Sequence, residues 1–183
     1  KMALHKLLPK KPDLLVSGIN HGSNSSVNII YSGTMAAVFE GAMSGIQAIG
    51  FSMTDYSLDV DLKPTAPYIK QLTSFALSNG LPAGISLNVN FPSPANGPFR
   101  GMKVCRQAMA RWEEDFGERL DPHRRAYFWM RGKFVNDDHD EKTDESALRD
   151  SYVSVVPVKY DFTAHNLIDD LNNALEAERK RQE

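Results

Sequence analysis

The 183-residue sequence contains a single cysteine, Cys105, so no disulfide can form within the chain. A reducing compartment is the natural reading of that scarcity, and the cytoplasm is the expected location. No apolar run approaches the ~20 residues that a helix needs to cross a bilayer, which argues against a membrane partner. An excess of one charge sign is missing too. The 21 Lys and Arg stand against 23 Asp and Glu, a formal net charge of -2. That balance gives no general attraction to polymeric nucleic acid or an anionic surface, although a local site for a nucleotide-sized anion remains open. No Gly-x-Gly-x-x-Gly follows a strand-like run, which argues against a dinucleotide-dependent dehydrogenase. The first residues lack an N-cap and an acidic first turn, yet Leu4, Leu7 and Leu8 have helical spacing. The chain is therefore read as opening inside a helix, with an upstream segment missing.

What is present is enough for a globular core: 42% of residues are hydrophobic and 24% charged. Leu14-Leu15-Val16 is a short continuous apolar run of the kind that fills a buried parallel strand. A polar, glycine-punctuated segment from Ser17 to Asn24 follows and reads as a loop. Ser32-Gly33-Thr34 then opens a helix whose small residues, among them Gly41 and Gly45, let it lie close to a sheet. Residues 48–53 form a second strand, which completes a βαβ unit. A second helix runs from Pro64 to the Asn79-Gly80 stop, with Ile69, Leu72, Phe75 and Ala76 as its buried face. Ile85, Leu87, Val89 and Phe91 alternate with Ser86, Asn88 and Asn90, the pattern of a strand with one apolar face.

The proline-rich stretch 92–98 is the clearest boundary. Beyond it, residues 99–136 read as a long aromatic hairpin turning at Asp121-Pro122, and 137–145 as an acidic loop. Tyr152 to Val158 is a strand, and Pro157 places its end at a sheet edge. An amphipathic helix from an N-cap at Thr163 uses Leu167, Ile168, Leu171 and Leu175 as its buried face, and its last turns, 176–183, are expected to fray. The division expected is a Rossmann-like α/β core over 1–92, an arm used for dimerisation over 99–160, and a C-terminal helix over 161–183. The fold class is thus α/β, a parallel sheet with helices on both faces plus an extended hairpin arm.

Two features could carry chemistry, because ligands of open α/β sheets sit beyond the carboxyl ends of the strands. Asn20 offers a neutral amide oxygen suited to Mg²⁺ or Mn²⁺. Ser32, Gly33 and Thr34 offer two hydroxyls and unpaired backbone N–H groups at a helix start, an anion site. A turn and an ordinary helix cap explain the same residues without any ligand. His21 reads as polar filler beside Asn20.

Pro12 to Asn20, then Gly22 and Asn24, then Tyr31 to Ala37 with Glu40-Gly41, together resemble the signature of the SurE family of 5′/3′-nucleotidases. Leu87 to Pro92, Gly101 to Gln107, Tyr127-Phe128-Trp129, Thr143-Asp144 and Tyr152 to Pro157 continue the resemblance in order. It implies metal-dependent hydrolysis of nucleoside 5′- and 3′-monophosphates, with Asn20 as a ligand of one divalent ion, Mg or Mn. It assigns phosphate or nucleotide binding to Ser32, Gly33 and Thr34, and to Asn24 as a weaker candidate. A homodimer or dimer of dimers is expected, and the exposed aromatics of the arm point the same way. The family's paired aspartates have no counterpart before Pro12, and Asp137-Asp138 reads as a solvated loop. No catalytic residue is therefore assigned in these 183 residues, which alone are expected to be inactive. A nucleotide-binding domain without catalysis and a purely oligomerising fragment remain as alternatives.

Overall fold

The computed structural model describes residues 1–182. After a single π-helical turn, Ala3–Leu7, the first βαβ unit consists of β1 (Leu14–His21), α1 (Gly33–Met43) and β2 (Gln47–Met53). Next come α2 (Ala66–Asn79) and β3 (Ile85–Phe91). A short β4 (Met102–Val104) leads into the paired β5 (Ala110–Leu120) and β6 (Ala126–Asn136). The chain closes with α3 (Asp144–Arg149), β7 (Val153–Lys159) and α4 (Ile168–Gln182).

The central sheet has the order β1-β2-β3-β7-β4. Strands β1, β2 and β3 are parallel, β7 runs antiparallel to β3, and β4 is parallel to β7. The sheet is therefore mostly parallel rather than wholly so. Both faces are covered: β2 contributes to two apolar clusters, whereas β3 contributes to one and buries Ser86, Asn88 and Asn90 on its other face. Ile49, Phe51, Met53, Val89 and Phe91 pack with Leu72 and Ala76 of α2. On the other face, Ala48 packs with Met35 and Val38 of α1 and Ala147 of α3. Gly50 faces α1, and a Cβ there would lie 2.5 Å from Met35 Sδ. The helix can sit this close only because the strand is bare at that point. Each large side chain buried here contributes about 1.5–3 kcal/mol.

Several sequence expectations need correction. Residues 17–21 belong to β1 rather than to a loop, because Asn20 and His21 continue the pairing with Ser52 and Met53. The acidic stretch is not all loop. Thr143 caps α3 by accepting from the Ser146 N–H, and Asp144 is fully buried. Phe75 is exposed, so α2 buries only Leu72 and Ala76 completely. Thr163 is not the cap of α4, since its own N–H donates to Asp161 and the helix starts at Ile168. Leu167, Ile168, Leu171 and Leu175 are all exposed, so the apolar stripe of that helix has no cover among the described residues. Glu183, the last residue of the turns expected to fray, lies outside the described residues. The pairing of β7 with β4 stops at Val155, which leaves Pro157 beyond the end of that neighbour. Strands β4 and β7 lie within residues 99–160 but complete the core sheet, so the projecting part of that region is the β5–β6 hairpin. No described helix is long and apolar enough to cross a membrane.

Candidate functional site

The carboxyl ends of β1, β2 and β3 meet a loop, residues 22–26, whose position is fixed by polar side chains rising from the sheet. Asn20 Nδ2 donates to the Gly22 carbonyl (2.9 Å), which commits the amide nitrogen and leaves the oxygen as the available end. Gly22 has a positive φ of 95°, and a Cβ there would lie 2.5 Å from the Tyr56 ring. Only glycine allows that turn and that contact.

The next residues are anchored from two sides. From the sheet, Asn90 Oδ1 accepts from the Asn24 N–H (2.8 Å), and Asn88 Nδ2 donates to the Asn24 carbonyl (2.8 Å). Asn24 Nδ2 in turn donates to Ser52 Oγ (2.6 Å). From α3, Asp144 Oδ2 accepts from the Ser26 N–H (2.8 Å), and its other oxygen accepts from the Ala108 N–H (2.9 Å). Ser25 Oγ donates to Glu145. Buried polar groups are costly unless bonded, so a lattice of this kind holds the loop in one conformation. Burial pushes the Asp144 carboxyl above the usual carboxylate range, against backbone N–H groups that favour its charge. Burial raises Glu145 as well, with the Ser25 hydroxyl opposing it. Near the surface, hydrogen bonds from the Ser93 hydroxyl and the Ser57 N–H lower Asp55.

A 3₁₀ turn, Ser26–Tyr31, carries the chain to α1. Ser32 is the N-cap, its Oγ accepting from the Met35 N–H (3.0 Å). Gly33 is exposed with open space around it, and Thr34 is half-buried. The packing of α1 sets the level of this turn. Met35 lies over Gly50, which is in register with Ser17, whereas Gly41 lies against Leu15, nearer the start of β1. The helix thus runs opposite to the strands. Its N-terminal N–H groups advance toward the carboxyl end, where Asn20 sits. Asn24 is placed differently: it is buried, and its backbone and amide nitrogen are all used within the lattice.

Sequence reading passed over Asn88, Asn90, Ser52, Asp144 and Glu145. The alternation in β3 is visible in the sequence, but it marks one apolar face and does not show that Asn88 and Asn90 are buried on the other. Thr143-Asp144-Glu145 was also a usable signal, because a Thr N-cap followed by two acids is a helix start.

No group of three or more His, Cys, Asp or Glu among the described residues could hold a metal ion. Asn20 supplies one neutral oxygen, whereas divalent sites of this class use carboxylates as well. Asp144 and Glu145 are already engaged with Ser26, Ala108 and Ser25. The described residues therefore do not by themselves complete a cation site. What they do offer is the N-terminus of α1 at Ser32, the kind of helix end where anions are commonly bound.

The pattern of the family described as Survival protein SurE matches residues 1–114. The 5′-nucleotidase SurE of Christiangramia forsetii is 56% identical over 173 residues, which cover 94% of this chain and 66% of that protein. The 5′-nucleotidase SurE of Cytophaga hutchinsonii is also 56% identical over 173 residues, covering 94% and 67%. The chain thus spans about two thirds of the length of these curated relatives. Among solved structures, the SurE protein of Aquifex aeolicus superimposes with a TM-score of 0.77 at 30% identity, over 94% of this chain and 70% of that one. A family pattern over more than half of the residues, high identity to several relatives and the same fold lead to one conclusion: the chain belongs to the SurE family.

Proposed function

We propose that this chain serves a phosphatase that hydrolyses nucleoside 5′- and 3′-monophosphates with one divalent ion, Mg or Mn. The observation that carries the reading is the Ser32-Gly33-Thr34 turn. It presents hydroxyls and backbone N–H groups at the carboxyl end of parallel strands, beside a loop locked by buried amides. Relatives that share more than half of its residues are named 5′-nucleotidase SurE. In this role the turn binds the phosphoryl oxygens. Its fixed N–H dipoles stabilise the charge that grows on them as the ester bond breaks. Asn20 lies near the carboxyl end of β1 with its amide nitrogen bonded to Gly22, and its oxygen serves as one ligand of the cation. Carboxylates beyond those described must complete that set.

The test follows phosphate release from a nucleoside monophosphate with Mn²⁺ or Mg²⁺, using the protein as expressed from its own gene. Thr34→Val should lower kcat/KM about 100-fold, the usual cost of losing a preorganised donor. Asn20→Ala should cost at least as much. The 183 residues alone should release no measurable phosphate. Unchanged turnover in both variants would overturn the reading, and binding without release by the whole protein would replace it with a non-catalytic role. A homodimer or dimer of dimers through the β5–β6 hairpin, in the cytoplasm, belongs to the same proposal. The exposed rings of the hairpin support the assembly, and the one free, buried cysteine supports the compartment.

A further inference from the structure

Glu145 is joined to the turn at Asn20 by a file of side-chain hydroxyls. Ser25 Oγ donates to Glu145, Ser23 Oγ lies 2.5 Å from Ser25 Oγ, and Asn90 Oδ1 lies 3.4 Å from Ser23 Oγ. Ser23 follows Gly22, whose carbonyl accepts from the Asn20 amide and whose own N–H donates to the Asp55 carbonyl (3.3 Å). The peptide between Gly22 and Ser23 therefore orients Asn20, and the Ser23 side chain is its handle. Glu145 is half-buried in the wall of a cavity of about 410 Å³, so protons from solvent can reach it. The charged and titratable groups around it are Asp144 on its own helix, Arg149, which bonds Asp150, and Tyr56 from the segment after β2. The loop and the hairpin face it with Ser23, Ser25, Trp112 and Phe134, none of them an acid or a base in this range.

We propose that Glu145 is a positioning residue whose ionisation sets, through Ser25 and Ser23, how firmly the turn that carries Asn20 is tied to β3. Its bearing on catalysis rests on the nucleotidase reading above; the change in hydrogen bonding does not. A serine hydroxyl has one hydrogen to give, and a carboxylate only accepts. With Glu145 ionised, Ser25 gives its hydrogen to the carboxylate and Ser23 gives its own to Ser25. Asn90 Oδ1 is then left with the Asn24 N–H alone. The distances show this arrangement, since Ser23 is close to Ser25 and its 3.4 Å to Asn90 is long for a hydroxyl donor. A protonated Glu145 donates to Ser25 instead, Ser25 donates to Ser23, and the Ser23 hydrogen is released to Asn90. One proton from solvent is held at Glu145 and two hydroxyls rotate; nothing is transferred along the file. Burial favours the protonated form, the Ser25 hydroxyl opposes it, and the neighbouring Asp144 charge adds to the burial. Asp144 has no part in the file, because its oxygens accept from the Ser26 and Ala108 N–H groups.

The experiment follows the side-chain amide of Asn90 by NMR in the ¹⁵N-asparagine-labelled protein as expressed from its own gene, while the pH is lowered from neutral. Its signals should move with one midpoint above the usual carboxylate range. The movement should vanish in Glu145→Gln, which cannot ionise. It should vanish as well in Ser25→Ala, in which the Glu145 carboxyl still titrates but the file is cut. The kinetic arm measures kcat/KM for a nucleoside monophosphate with Mn²⁺ as the ratio of wild type to Glu145→Gln, so that ionisation of the substrate cancels. Because Gln donates as the protonated acid does, the ratio should be near one on the acid side. Above the midpoint it should fall about two- to tenfold, the size that one net hydrogen bond supports. Titration of Asn90 that persists in Glu145→Gln or in Ser25→Ala would overturn the proposal. So would a ratio that is the same at every pH, which is what a purely structural Glu145 gives. If the wild-type protein releases no phosphate, the nucleotidase reading fails, and the Asn90 titration still decides the link from Glu145 to the turn.

Discussion

The sheet core and the β5–β6 hairpin put the same kinds of residue to opposite uses. In the core, Phe51, Phe91 and Phe99 stack in series with centroid separations near 6 Å, and Phe91 is fully buried. In the hairpin, facing residues share a side, so Trp112 and Phe134, Phe116 and Met130, and Leu120 and Ala126 line one surface together with Phe128. Most of that surface is bare: Phe116 is 59% exposed and Phe128 65%. The opposite side is more mixed: Tyr127 and Trp129 lie there among charged residues, with Arg131 paired to Asp115 and Arg111 to Asp137 and Glu113. A two-stranded ribbon is marginal in water by itself. Aromatic residues thus stabilise the core through burial already achieved, whereas the same residues in the hairpin leave a surface suited to a second molecule.

The sharpest way to break the contrast is to remove one ring from each region. Phe91→Ala should cost about 3–5 kcal/mol in urea unfolding, because it opens a cavity between two packed layers. Phe116→Ala should leave the unfolding midpoint of the isolated subunit almost unmoved, yet shift the protein toward monomer in light scattering at micromolar concentration. An unchanged oligomer would remove the hairpin from the interface. Next in size comes Asp144→Ala, which strands the Ser26 and Ala108 N–H groups. A loss of about 2–3 kcal/mol is expected for orphaned buried donors.

Acid separates the regions further. Burial raises Asp144 and Glu145, so the folded state binds their protons more readily than the unfolded chain. Their contribution to stability therefore falls as the pH rises from about 4 through their raised values. Asp138, hydrogen-bonded by Arg106 and the Met109 N–H, and Asp137, hydrogen-bonded by Arg111, are held below the usual range. Their contribution is present above about pH 4 and is lost only as the pH falls through those lowered values. Hydrogen exchange at pH 7, 5 and 3 should show the loop over Asp144 tightening as the pH falls. The stem of the hairpin should loosen only toward the last. Arg131→Gln, on an exposed ion pair, should change neither the midpoint nor the assembly.

Much of this was legible where burial and periodicity agree. The strands at 14–16, 48–53 and 85–91, the cap at Ser32 and the turn at Asp121-Pro122 all lie where local pattern placed them. The misreadings share a physical cause: burial created by distant chain segments. Asn88 and Asn90 look like a wet face until the loop at residues 23–26 folds over them. Asp144 looks solvated until the Ser26 and Ala108 N–H groups meet it. The apolar stripe of α4 fails in the opposite sense, since its periodicity is sound but nothing described lies over it. For the site, the turn at Ser32 and the amide at Asn20 were visible as motifs.

The antiparallel seat of β7 has a consequence for how the chain comes together. Strand β3 ends at Phe91, and its neighbour on that side begins only at Val153, with the whole hairpin in between. Strand β4 bonds only to β7 in this sheet, so it has no place to dock until those later residues exist. During synthesis, which runs from the N-terminus, the apolar edge of β3 and the bare face of the hairpin must both wait uncovered. Pairings this distant in sequence are slow to form and open to wrong partners. The step that completes the core is therefore also the step that ends its period of greatest exposure to aggregation.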